Sequence, residues 1–153
     1  MIHPLANVLS KSIGEGTSIW QFVIVLEKAQ IGRNCNINAH CFIENDVIIG
    51  DNVTVKCGVY LWDRMRISDN VFIGPNATFI NDNYPRSKDY PDEFLQTKIE
   101  KGASIGAGSI ILGGLTIGKN SMIGAGSVVT HSTEAYGVYV GSPARKIKNR
   151  IES

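Results

Sequence analysis

The sequence predicts an all-β chain wound as a parallel β-helix of six-residue repeats, with one inserted loop and a short C-terminal helix. Counting every sixth residue from Ile13 gives Ile13, Ile19, Val25, Ile31, Ile37, Ile43, Ile49, Val55, Leu61, Ile67, Ile73 and Phe79, all apolar. After an interruption the count resumes at Ile99 and runs through Ile105, Ile111, Ile117, Ile123 and Val129. Four residues after each aliphatic stands a mostly small or β-branched side chain, as at Thr17, Val23, Ala29, Cys35 and Cys41 and again at Ala103, Ser109 and Ser127. A strict period of six matches neither a helix nor strand alternation, so it marks a repeat architecture. One large and one small inward residue per hexad suits a narrow tube, in which three hexads form one coil and coils stack at about 4.8 Å.

With 153 residues, 43% apolar content and a net charge of +1, the chain is expected to form one domain with no nucleic-acid partner and no membrane partner. No apolar run approaches the roughly 20 residues that span a bilayer, and the N-terminus lacks a basic segment followed by a hydrophobic core, so a cytoplasmic protein is expected. Cys35, Cys41 and Cys57 form no CxxC pair, and two of them take the small inward position of adjacent hexads. They are expected as packed free thiols, not as metal ligands or a disulfide.

Along the chain, Ile2 and Val8 keep the spacing, but Val8 to Ile13 is five, so the first partial coil is out of phase and is expected to cap the open end. Gly14, Gly32 and Gly50 recur eighteen apart, where tight corners favour a residue tolerant of unusual backbone angles. From Ile80 to Lys98 the register breaks by fourteen extra residues, polar and aromatic, with two prolines. A loop of that length inside a strict repeat is usually functional. The hexads end after Val129, and Tyr136 to Val140 reads as extended. The β-helix domain is thus expected over 1–140, followed by a basic tail over 141–153 that forms the short helix.

Stacking the hexads places residues eighteen apart one above another, so Asn45, Asp63 and Asn81 form a polar column with Glu44, Trp62 and Ile80 beside it. The column is either a ladder that satisfies corner backbone groups or the wall of a binding groove. Trp62 on an outward position, and the column's end at the root of the inserted loop, favour the groove. His40 falls on an outward corner position expected near that column. Ile105-Gly106-Ala107-Gly108-Ser109 and Ile123-Gly124-Ala125-Gly126-Ser127 are identical and eighteen apart, so they stack as corners without bulky side chains. Gly113 to Asn120 has the outline of a phosphate-binding loop, but it lies inside the hexad array and lacks the Ser or Thr that would hold magnesium.

These residues resemble the hexapeptide-repeat acyltransferases, whose fold is a left-handed parallel β-helix that trimerises, and the likeness covers almost the whole chain. Handedness is implied by the resemblance alone, since ordinary parallel crossovers are right-handed. More narrowly, Ala39-His40-Cys41-Phe42-Ile43-Glu44-Asn45, Leu61-Trp62-Asp63, Gly74-Pro75-Asn76 and Thr78 to Lys88 look like the N-acetyltransferases acting on nucleotide-linked 3-amino sugars, especially dTDP-3-amino-3,6-dideoxyhexoses. Relatives tend to carry glycine where Arg64 follows the Trp-Asp pair. The resemblance implies that Asn81 holds the sugar amine, with His40 as a second catalytic candidate. It further implies substrate binding by Glu44, Asn45, Trp62, Asp63, Asp82, Tyr84, Arg86 and Lys88. Acetyl-CoA is the implied co-substrate, lying along Gly106, Ala107, Gly124 and Ala125, whose corners would leave a smooth channel for a pantetheine arm. Gly141-Ser142-Pro143-Ala144-Arg145, with Lys146, looks like the family's coenzyme A signature, in which the basic residues would meet phosphate oxygens. The expected assembly is a homotrimer with sites between subunits and no metal, serving surface polysaccharide or glycan biosynthesis.

Alternatives differ in class. One is an N-acetyltransferase of a UDP-linked amino sugar, and another is a non-enzymatic β-helical scaffold, which has no need of the inserted loop or the basic ending. A zinc hydratase needs converging histidines, yet His40 and His131 are about four coils, roughly 19 Å, apart along the tube.

Overall fold

A computed structural model describes residues 1–151. Its two-residue strands take turns among three parallel sheets. The first face holds Asn7–Val8, Ile24–Val25, Phe42–Ile43, Tyr60–Leu61, Thr78–Phe79, Ile110–Ile111 and Val128–Val129. The second begins at Ser12–Ile13 and ends at Thr116–Ile117, and the third begins at Ser18–Ile19 and includes Phe72–Ile73, Ser104–Ile105 and Met122–Ile123. With seven strands on the first face, the tube makes about seven turns. The second residue of each pair points inward, and from Ile19 to Val129 every aliphatic of the six-residue count is at most 3% exposed.

The stacking offset is eighteen residues: Ile24 lies on Phe42 and Phe42 on Tyr60. Across the insertion Arg66 pairs with Lys98 and Thr78 with Ile110, so the ladder resumes in register with fourteen residues looped out. The loop is one residue shorter than expected, because Lys98 is already in a strand. Inward, Thr97 takes the small position that an uninterrupted count would give to Asn83. Polar side chains in this narrow interior are satisfied locally: Ser109 Oγ donates to Gly124 O at 3.0 Å, and Ser121 and Thr133 hydroxyls lie 3.1 Å apart.

The out-of-phase start is a terminal coil laddered onto the tube, since Asn7 pairs with Ile24 at an offset one residue short of eighteen and Ile2 bridges Ile19. Three expectations need correction. Gly14, Gly32 and Gly50 do not have left-handed backbone angles. They are glycine because a Cβ on Gly14 would overlap Gly32, and one on Gly32 would overlap the Gly50 carbonyl. Cys57 is exposed, whereas Cys35 and Cys41 are buried free thiols. Burial pushes the Cys41 thiol up to about 11. Finally, the described part of the basic tail, 141–151, is no helix, and 152–153 lie outside the described residues: Gly137–Gly141 extends the third sheet, and Ala144–Asn149 pairs with it antiparallel. A helix of so few residues has little stability of its own, while the open sheet edge offers a ladder of hydrogen bonds.

Candidate functional site

Between the first and second faces the chain turns a corner in every coil, and here the expected polar column is present. Glu44 Oε2 accepts from the Asp63 amide at 2.7 Å, Asp63 Oδ1 accepts from the Asp46 amide at 2.7 Å, and Asn45 Oδ1 accepts from the Lys28 amide at 3.1 Å. Part of the column therefore does what a ladder does, capping corner amides of neighbouring coils. Trp62 donates its indole N–H to Phe79 O at 2.8 Å, and its ring lies 6.0 Å from Phe42 and 5.9 Å from Tyr60. These rings with Phe22, Ile24 and His40 line a concavity of about 390 Å³ on the first face. Phe42 and Tyr60 were not singled out from sequence, although their eighteen-residue spacing on an outward position was a usable signal.

Asn81 closes the column and differs from the residues below it. Its carbonyl accepts from the Leu95 amide at 3.1 Å, while its half-buried carboxamide has no hydrogen-bond partner among the described residues. Asp82 Oδ1 caps the Tyr84 amide at 2.9 Å where the loop departs, and the Asn83 side chain grips both the N–H and the C=O of Gly113 at 2.9 and 3.2 Å. The structure thus gathers Glu44, Asn45, Trp62, Asp63, Asn81 and Asp82 along one corner. Tyr84, Arg86 and Lys88 have exposed side chains farther along the loop, with only the Tyr84 amide tied to this corner through Asp82.

Glu44 carries an electrostatic signature. Partial burial is the main cause that pushes its carboxyl above the usual range, and the nearby Asp63 charge adds to it, against the opposing Asp63 amide bond. A carboxyl whose pKa rises on folding contributes stability that is fully present below its unfolded value and is lost as pH climbs through the folded one. Glu44→Gln keeps an acceptor for Asp63 and removes the desolvated charge. The variant is expected to unfold at higher denaturant than the parent at pH 7 and to match it near pH 3.5, as followed by urea titration.

The corner between the third and first faces carries the other expected residues. A Cβ on Gly106 would lie 2.5 Å from the Ala125 nitrogen and one on Gly124 2.7 Å from Val140 Cγ1, so both glycines serve packing. Gly108 and Gly126 instead have φ of 66° and 70°, with open space where a Cβ would point. Ala107 and Ala125 are exposed, and among the described residues their amides donate to nothing. Gly141, Ser142, Pro143 and Ala144 form the turn of the C-terminal hairpin, with the Gly141 amide donating to Ser127 Oγ at 3.2 Å. Arg145 and Lys146 follow on the exposed edge strand, where Lys146 Nζ pairs with Glu134 at 2.6 Å. This corner has bare backbone and two free amides, and the hairpin turn that adjoins it is followed by Arg145.

His40 belongs to this second corner, not to the polar column. It adopts φ 62° and stacks on Phe22 with ring centroids 5.1 Å apart. Phe42, Tyr60 and Thr78 are successive rungs, so His40 lies two coils from Asn81 and across the width of the face. The six-residue period fixes height along the tube, and the hexad phase fixes the corner, which for His40 is the one between Asn36–Ile37 and Phe42–Ile43.

Comparison with known proteins fits these features. A profile for bacterial transferase hexapeptide (six repeats) matches residues 10–45, 28–61 and 96–131. The chain belongs to this hexapeptide transferase family. It is 58% identical over 144 residues to a dTDP-3-amino-3,6-dideoxy-alpha-D-galactopyranose 3-N-acetyltransferase of Aneurinibacillus thermoaerophilus, covering 94% of this chain and 75% of that one. Among solved structures, a maltose O-acetyltransferase from Clostridium difficile 630 superposes with a TM-score of 0.66 at 28% identity, over 97% of this chain and 72% of that one. An N-acyltransferase from Bacillus cereus, in complex with dTDP and coenzyme A, superposes with a TM-score of 0.55 at 27% identity, over 98% and 84%. The unmatched stretch of this hexapeptide transferase between 61 and 96 contains most of the inserted loop. Among its described residues no cluster of His, Cys, Asp and Glu could hold a metal ion, and no helix is long and apolar enough to cross a membrane.

Proposed function

We propose that this hexapeptide transferase moves the acetyl group of acetyl-CoA onto the 3-amino group of a dTDP-linked 3-amino-3,6-dideoxyhexose, in the cytoplasm, as a homotrimer with sites between subunits. The observation that carries the reading is the unpartnered Asn81 carboxamide at the foot of the inserted loop, in a chain 58% identical to an enzyme named for that reaction. Asn81 accepts from and orients the neutral amine, with help from the neighbouring Glu44 and Asp63. Trp62 and the loop residues Asp82, Tyr84, Arg86 and Lys88 take the rest of the sugar nucleotide. Along the other corner, Ala107, Ala125 and the turn at Gly141 to Ala144 hold coenzyme A, with Arg145 and Lys146 near its phosphates.

In the reaction the neutral amine nitrogen bonds to the acetyl carbonyl carbon, the carbon–sulfur bond breaks, and the nitrogen's surplus proton leaves to the thiolate or to solvent. A free corner amide can donate to the carbonyl oxygen as negative charge gathers there. The two corners lie on opposite edges of one face, up to about 20 Å apart at strand rise, which supports a site completed by a neighbouring copy. His40 differs in height from Asn81 by about 10 Å, a difference that a threefold axis parallel to the tube preserves. His40→Ala is therefore expected to lower kcat by less than about tenfold, short of the 10²–10⁴ typical of a general base.

Thiol release measured with a panel of dTDP- and UDP-linked 3- and 4-amino sugars tests the assignment. Turnover confined to dTDP-linked 3-amino sugars is expected. Preference for a UDP-linked or 4-amino substrate would replace it, and no calorimetric binding of coenzyme A would turn the reading toward a scaffold.

A further inference from the structure

Arg64 stands at a corner with φ 72°, a left-handed conformation that costs an arginine what it would not cost glycine. The equivalent corner after the insertion holds Gly114 at φ 81°, and Asn34, Asn52, Asn70, Asn76 and Asn120 are also left-handed, with Phe22, His40, Lys88 and Tyr136 as the larger residues that share the conformation. At Arg64 a side-chain contact offsets the cost. Arg64 Nη1 donates to Phe94 O at 2.7 Å and lies 3.0 Å from Glu93 Oε1, thirty residues ahead on the returning limb of the inserted loop. The next residue, Leu95, donates its amide to the carbonyl of Asn81. Opposite, the Arg64 amide donates to Asp46 O at 2.7 Å, which ties the same residue into the polar column.

We propose that Arg64 is a positioning residue that latches the returning limb of the inserted loop to the polar column and so holds Asn81 and the loop in the geometry that binds the sugar nucleotide. The guanidinium bond to a backbone carbonyl carries the latch, because it depends on no particular side chain in the loop. The Glu93 pair is largely solvent-exposed and contributes little. Asn83 on Gly113 fixes the outgoing limb independently, so losing Arg64 frees one side of the loop and leaves the tube intact.

This inference rests on the reading of the loop as the sugar-nucleotide wall, and its test has one arm that does not. Arg64→Gly removes the latch and relieves the backbone, so the thermal midpoint is expected to stay level or rise. Trypsin cleavage at Arg86 and Lys88 on the exposed tip is expected to speed up about tenfold, the weight of one charge-assisted hydrogen bond. With the preferred amino-sugar nucleotide, KM for that substrate is expected to rise about tenfold while KM for acetyl-CoA stays within about twofold. Glu93→Gln is expected to change each value by less than about twofold. Unchanged cleavage in Arg64→Gly, or a fall in stability with both KM values raised together, overturns the latch. If the wild-type protein accepts no amino-sugar nucleotide the functional reading fails, and the cleavage rate still decides whether Arg64 holds the loop.

Discussion

Asn81→Ala is expected to lower kcat for the amino-sugar nucleotide by about 10²-fold, the usual loss when one preorganised hydrogen-bonding group at a reacting centre is removed. Coenzyme A affinity measured by calorimetry is expected to stay within about twofold, because the carboxamide stands on the corner opposite Ala107 and Ala125. The thermal midpoint is also expected to hold. The side chain makes no hydrogen bond within the described chain, and the contact that matters structurally, Asn81 O with the Leu95 amide, belongs to the backbone and survives the substitution. Unchanged steady-state kinetics would remove Asn81 from the mechanism. Equal losses in turnover and coenzyme A binding would mean that it supports both substrates through the fold.

The second large effect concerns stability. Gly32→Ala is expected to destabilise the protein by about 3 kcal/mol, the upper end of what overpacking costs. The new methyl would meet the Gly50 carbonyl and the Asp51 carboxylate, and neither can move freely. Asp51 Oδ1 is already accepting from the Arg33 amide at 2.7 Å, and the Asp51 amide donates to Asp69 Oδ1 at 2.8 Å, so the corner is braced across three coils. Urea unfolding at matched protein concentration measures this directly. A loss below 1 kcal/mol would show that the corner yields, and the glycine column would then need another cause.

How much of this was legible in the residues differs between the tube and its decorations. The aliphatic count predicted the inward face of every coil because the period of six is imposed by a backbone turning three corners, and no other local structure produces it. Register followed from the same rule, which is why Asn45, Asp63 and Asn81 could be aligned before any coordinates. The glycine column was located but misexplained: spacing reveals that a side chain is forbidden, whereas telling backbone angle from close approach needs the next coil's atoms. The C-terminal tail was misread because the edge it pairs with is created by the fold. Arg64 with Phe94 lay beyond reach for a related reason. A nonperiodic loop has no register, so nothing in the string of letters says which of its carbonyls returns to the tube.

The same insertion carries a consequence for how such chains diversify. Between Thr78 and Ile110 the chain closes a circuit of 32 residues where eighteen is the rule, yet the rungs on both sides pair as before. In loop-closure terms the longer circuit adds only about 0.5 kcal/mol, since the entropic cost grows with the logarithm of length. A corner of this tube can therefore acquire, lose or exchange a loop at almost no thermodynamic penalty, provided that segment brings its own tether. Under the proposed function, swapping 83–96 for a loop of different sequence is a route to altered sugar selectivity on an unchanged scaffold.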